Sequence, residues 1–138
     1  MEVQVNIWAV ALATLSSMVV GSIWYARGVF GNLWIKLAKI DMTKQGDPVW
    51  VPMLITVFVS FLTAYVLAHM VFLAHNFFNN SWLQDSLSTG FWVWLGFIAT
   101  RLITHDAFEG RRKKLTLLNI SHEFVTIMIM ALMIGLIK

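Results

Sequence analysis

An all-α integral membrane fold of four transmembrane helices is predicted by three properties of the 138-residue sequence. Apolar residues make up 59% of it and charged residues only 12%, against roughly 25% charged in globular proteins, so water is not its main solvent. The apolar residues gather into runs long enough for a hydrocarbon core about 30 Å thick. Lysine and arginine crowd into alternate connections between those runs, the charge pattern of a chain that crosses repeatedly.

The elements follow in order as a single membrane domain, 1–138, with helices at about 6–27, 49–74, 83–109 and 113–137. No residue from Ile7 to Ala26 is charged, which gives 20 residues or about 30 Å of helix. This segment has no basic leader and exceeds the usual apolar length of a signal peptide, so it reads as a retained span. In loop one, Phe30, Leu33, Trp34 and Leu37 recur at helical spacing with Lys36 and Lys39 on the other side, predicting a short amphipathic helix at about 30–40 on the membrane surface. Asp41 to Pro48 reads as a polar turn. Span two runs from Val49 to Ala74 with Pro52 near its start, where a missing amide does little harm. Span three starts near Leu83, and its helix continues to Glu109 with Gly110 placed to end it. Span four, Leu115 to Ile137, is interrupted only by His122 and Glu123.

Orientation comes from the basic residues. Arg27, Lys36, Lys39 and Lys44 lie in loop one and Arg111, Arg112, Lys113 and Lys114 in loop three, whereas loop two has none. The positive-inside rule puts loops one and three in the cytoplasm and both termini outside. Trp24, Tyr25 and Trp50 then fall at the cytoplasmic interface and Trp8 and Trp82 at the outer one. Trp92 and Trp94 lie mid-span, where they either pack between helices or line a pocket.

Several function classes lose their support. With no cysteine there is no disulfide framework, thiolate nucleophile or cysteine-held metal. The basic blocks flank hydrophobic segments without aromatic interleaving, a pattern that suits lipid headgroups and not nucleic acid. No phosphate-binding glycine loop, His-Glu-x-x-His or Gly-x-Ser-x-Gly elbow is present, so no enzyme, cofactor or metal is expected. His69 lies apart from other ionisable groups, and His69 and His122 fall nearer opposite sides of the membrane, too far apart to converge on one metal.

Ionisable groups inside a bilayer cost about 2.5–3.5 kcal/mol each on insertion scales and so point to partners or purpose. Asn119, His122, Glu123 and Thr126 share one face of span four, and Arg101, His105 and Glu109 share a stripe of span three. The short connection makes these spans antiparallel neighbours whose polar faces can meet. Three readings stay open: an Arg101–Glu123 ion pair holding two helices in register, a protonatable site served by Glu123 and His122, and Arg101 snorkelling alone to the interface. Small residues mark packing surfaces: Ala13, Ser17 and Gly21 on span one, Ala64 and Ala68 on span two, Ala131 and Gly135 on span four. The first stripe serves internal packing or a homo-oligomer.

Gly21-Ser-Ile-Trp24-Tyr25, Phe30-Gly31-Asn-Leu-Trp34, Trp94-Leu-Gly96-Phe97-Ile-Ala-Thr100 and Phe108-Glu109-Gly110-Arg111, with Asn119 beyond them, resemble the domain of unknown function 1761 family over nearly the whole chain. The resemblance implies a small, bacterial-type four-helix membrane protein and carries over no activity. The family pattern leads to an aromatic followed by histidine in span four, where this chain has His122 then Glu123, so the carboxylate is read as peculiar to this member.

The leading functional expectation is a homo-oligomeric transport or channel-like protein of the plasma membrane, with a protonatable site between spans three and four. The alternative is an accessory or scaffold protein that binds anionic lipid or another membrane protein. Because the chain has no native cysteine, topology is directly measurable. Asn80→Cys is expected to react with an impermeant maleimide on intact cells, and Lys39→Cys and Arg112→Cys only after lysis; the reverse pattern would invert the orientation.

Overall fold

A bilayer offers no water to backbone amides, so each apolar run must close its hydrogen bonds within itself, and each does so as helix. The computed structural model describes residues 3–41 and 50–138. Its helices are α1 (Ile7–Trp24), the short α2 (Asn32–Ala38), α3 (Trp50–Phe78), α4 (Trp82–Phe108) and α5 (Lys113–Ile137). All but α2 are long and apolar enough to cross a membrane. Lys44, the turn residues up to Pro48 and the expected first residue of span two, Val49, lie outside the described residues.

Local chemistry sets the helix ends. Asn6 caps α1 by accepting from the Trp8 amide at 2.9 Å, and its own amide donates to the carbonyls of Ile137 and Lys138 at 3.3 and 2.9 Å. One side chain thus satisfies orphan groups of two helices and brings both ends of the chain together. Helix α1 stops at Trp24, short of the expected 27, because Ala26 turns extended (ψ 142°) and Arg27–Gly31 coil into a wide π-helical turn ahead of α2. Helix α3 runs one turn past Ala74 until Asn79 takes a left-handed conformation (φ 55°). Gly110 (φ 65°) ends α4, and the Arg111 amide closes back on the Asp106 carbonyl at 2.9 Å.

Helix α5 is the hub, packing most extensively on α1 and α4 and more lightly on α3. At the end that holds the termini and residues 79–81, here the terminal end, Gly135 lets Leu83 and Ser86 approach closely. Gly90 does the same against Ala131 one level deeper. Lipid is as apolar as leucine, so this close backbone approach, and not escape from solvent, holds the helices together. The layer between is dry: Val10 and Ala13 from α1, Ala64, Leu67, Ala68 and Val71 from α3, and Ile127, Met130, Ala131 and Ile134 from α5. Ala13 and Ser17 are buried, so the small-residue stripe of span one packs within the chain. Toward the opposite end, which carries the lysines and arginines of loops one and three, α3 diverges, and every residue from Trp50 to Val59 is exposed.

Helix α4 is continuous but not uniform, because Trp94–Ala99 form a widened π turn. Before it, Ser86 and Gly90 face the core; after it, Ala99 and Asp106 do. A regular helix would carry the inward face on through 97, 101 and 105. The extra residue of the wide turn shifts that face one position along the chain.

A Cβ at Gly90 would lie 2.8 Å from the Ala131 Cβ, whereas one at Gly96 meets nothing within 4 Å. Gly90→Ala is therefore expected to destabilise the fold by about 1–3 kcal/mol, and Gly96→Ala not to, as read from unfolding in mild detergent.

Candidate functional site

The sequence-derived polar residues separate into two groups. Arg101, His105 and Glu109 fall on the outward side of α4 and are exposed. Glu109 pairs with Arg111 at 2.6 Å in the connection to α5, and Arg101 forms no ion pair with Glu123 or with any other described residue. The register shift at Trp94–Ala99 is the cause: the stripe drawn on a regular helix would have turned Arg101 inward, and the wide turn rotates it out.

The second group, Asn119, His122, Glu123 and Thr126, meets α1 rather than α4. His122 lies against Gly21, whose added Cβ would sit 3.7 Å from the imidazole Nε2. The imidazole centroid is 5.8 Å from Trp24 and 5.0 Å from Tyr25. Its Nδ1 stands 3.3 Å from Glu123 Oε1, and its Nε2 3.5 Å from the Thr126 hydroxyl. A second aromatic layer comes from loop one, with Phe30 at 4.5 Å from Trp24 and Trp34 at 5.3 Å from Tyr25. Gly31 is required here, since a side chain would strike the carbonyls of Tyr25 and Ala26 where the wide turn closes. The Trp-Tyr and Phe-Gly-Asn-Leu-Trp motifs, far apart from His122 in sequence, thus converge on it.

Burial at this site is graded. The His122 side chain is 14% exposed and that of Glu123 37%, so the carboxylate reaches the edge of the cluster while the imidazole is held inside. Two polar atoms are buried without a hydrogen-bond partner among the described residues, the indole Nε1 of Trp24 and the amide Oδ1 of Asn119. Toward the terminal end the polar face stops at Thr126, and the dry layer of Val10, Ala13, Ile127, Met130 and Ala131 follows. Two open grooves, of about 480 and 340 Å³, are lined by apolar side chains with single threonines, the first between α1 and α3 and the second beside Leu67, Val93 and Ile127. Neither reaches His122 or Glu123.

The mid-span tryptophans divide. Trp94 donates from Nε1 to the Ile120 carbonyl at 3.1 Å and packs edge-on against Phe124, whereas Trp92 is exposed to the surroundings of the bundle. His69 bonds back to the Tyr65 carbonyl of its own helix at 2.8 Å. Among the described residues no group of three or more His, Cys, Asp or Glu side chains is placed to hold a metal.

Two buried carboxylates escaped the sequence reading. Asp85, 3% exposed, accepts from His75 Nδ1 at 2.9 Å and Asn80 at 3.0 Å, and the Trp82 ring stacks on His75 at 3.9 Å. Asp106, 5% exposed, accepts from the Thr116 hydroxyl at 2.6 Å with Arg111 Nε 3.6 Å away. Each staples a helical hairpin, α3 to α4 and α4 to α5. A search of the spans for acidic as well as basic residues finds both. Asp106→Ala, which orphans the Thr116 hydroxyl, is expected to lower stability by about 2 kcal/mol, and Arg101→Gln to change it by less than about 0.5 kcal/mol, in the same unfolding measurement.

No curated protein and no solved structure matches the chain. One sequence profile does, across residues 8–135, so that both the aromatic motifs around His122 and the α5 polar face lie inside the match. The chain belongs to the family described as Protein of unknown function (DUF1761).

Proposed function

We propose that the protein is a small multi-pass carrier of the plasma membrane that loads a proton or small polar solute at the His122–Glu123 site. The observation that carries this reading is the one-sided access of the site. A titratable pair lies at the α1–α5 seam with the carboxylate toward its open edge, and a dry layer closes the path beyond Thr126. That arrangement suits alternating access better than an open channel, which needs a continuous wetted path. The charge bias of loops one and three favours an orientation in which the site loads from the cytoplasm, with both termini outside. Loop one, through Phe30 and Trp34, covers the site from that side, and α2 lies along the headgroups of the lipids.

The exposed half of α3, apolar on every side from Trp50 to Val59, favours association with a second copy. It equally favours the second reading, an accessory protein docked on another membrane protein. Affinity purification in mild detergent separates them: a stoichiometric foreign partner supports the accessory role, and recovery of the homo-oligomer alone counts against it.

The carrier reading is tested in proteoliposomes under imposed proton and solute gradients. Wild type is expected to dissipate one of them, with Glu123→Gln at least about tenfold slower, the loss typical of a removed proton-transferring group. No flux by the wild type under any gradient would sink the proposal.

A further inference from the structure

The seam between α1 and α5 is antiparallel with a fixed register. Asn6 meets Ile137 at the terminal end, and Gly21 meets His122 fifteen residues along on each helix. The same register sets Trp24 opposite Asn119. These residues present complementary groups, an indole N–H and an amide oxygen, and both atoms are buried with no hydrogen-bond partner among the described residues. A donor and an acceptor that face each other unbonded across a helix seam are each costly to leave unsatisfied, and a bridging group that accepts from one and donates to the other removes both penalties.

The surroundings restrict what that bridging group is. Glu123 lies one turn beyond Asn119 on α5, and among the described residues its ionic partner is His122, with no lysine or arginine paired to it. The rings of Trp24 and Tyr25 both lie within about 6 Å of the imidazole, the range over which aromatic faces attract a cation. Negative and π-rich surface with an amide acceptor selects a positively charged N–H donor. The single unbonded donor, Trp24 Nε1, selects an oxygen acceptor on the same molecule. An anion meets no fixed positive charge here, and a purely apolar molecule leaves both orphan atoms as they are.

We propose that the α1–α5 seam binds a small organic ammonium compound that carries a hydroxyl or carbonyl oxygen, its oxygen on Trp24 Nε1 and its ammonium between Asn119 Oδ1 and Glu123. This rests on the carrier reading for the use made of the site, but not for the binding itself.

Nitrogen-15 NMR of the tryptophan side chains in micelles, with ethanolamine as probe, tests it. Ethanolamine is expected to move the Trp24 indole N–H resonance saturably, whereas ethylamine, which lacks the oxygen, and ethylene glycol, which lacks the charge, bind at least about fivefold more weakly, one hydrogen bond's worth. Glu123→Gln is expected to weaken ethanolamine about tenfold or more. Trp24→Phe keeps the ring and removes the donor, and is expected to abolish the preference for ethanolamine over ethylamine, read from the Trp34 resonance. A Trp24 resonance unmoved by all three probes, or moved equally by glycol, overturns the proposal and assigns the orphan atoms to water alone. Binding without flux would retain this inference and sink the carrier reading; proton flux without ethanolamine binding would do the opposite.

Discussion

The α1–α5 seam is the constraint on which the rest of the bundle depends. These two helices are the first and last of the chain, so nothing local makes them neighbours. Asn6 ties their ends at one side by serving both as the cap of α1 and as a donor to the last carbonyls of α5. Between that tie and Gly21, the small residues Ala13 and Ser17 let the backbones approach. Only with this register does His122 land among Trp24 and Tyr25, and only then does loop one have an aromatic platform on which Phe30 and Trp34 can fold back.

The two hairpins are held by a different device. Asp85 and Asp106 are buried carboxylates with two partners each, one at either end of α4. A lone buried charge would be ruinous in so apolar a setting, but hydrogen-bonded donors on the adjoining helix turn the same charge into a directional staple. Removing one partner costs more than the bond is worth, because the other is then left in hydrocarbon. The exposed pair Glu109–Arg111 has the shorter contact and contributes less, since its charges are solvated with or without each other.

The wide turn at Trp94–Ala99 links packing to the position of the polar site. By inserting one residue, it lets Trp94 bond the Ile120 carbonyl and still turns Ala99 and Asp106 inward. The same shift faces Arg101, His105 and Glu109 outward, which removes α4 from the polar site and leaves α1 to complete it. Such turns recur at functional positions in membrane and soluble helices alike.

What the amino-acid sequence determined by itself is local. Four apolar runs, the capping glycine at 110, the helical spacing behind α2 and the shared face of Asn119, His122, Glu123 and Thr126 are all properties of consecutive residues, and the bilayer enforces them because an unpaired amide in hydrocarbon is prohibitively costly. The aromatic motifs that mark the family were equally legible as strings, though not as neighbours of His122. Which helix the polar face meets was decided by the tertiary structure. Loop length favoured α4, and helical periodicity placed Arg101 at a suitable depth, but one inserted residue in α4 rotates that stripe by about 100°. Meanwhile the partner actually used lies nearly a hundred residues away in sequence. Periodicity fixes the faces of a regular helix; it carries no information on where the helix departs from regularity, or on which distant face offers the closest backbone approach.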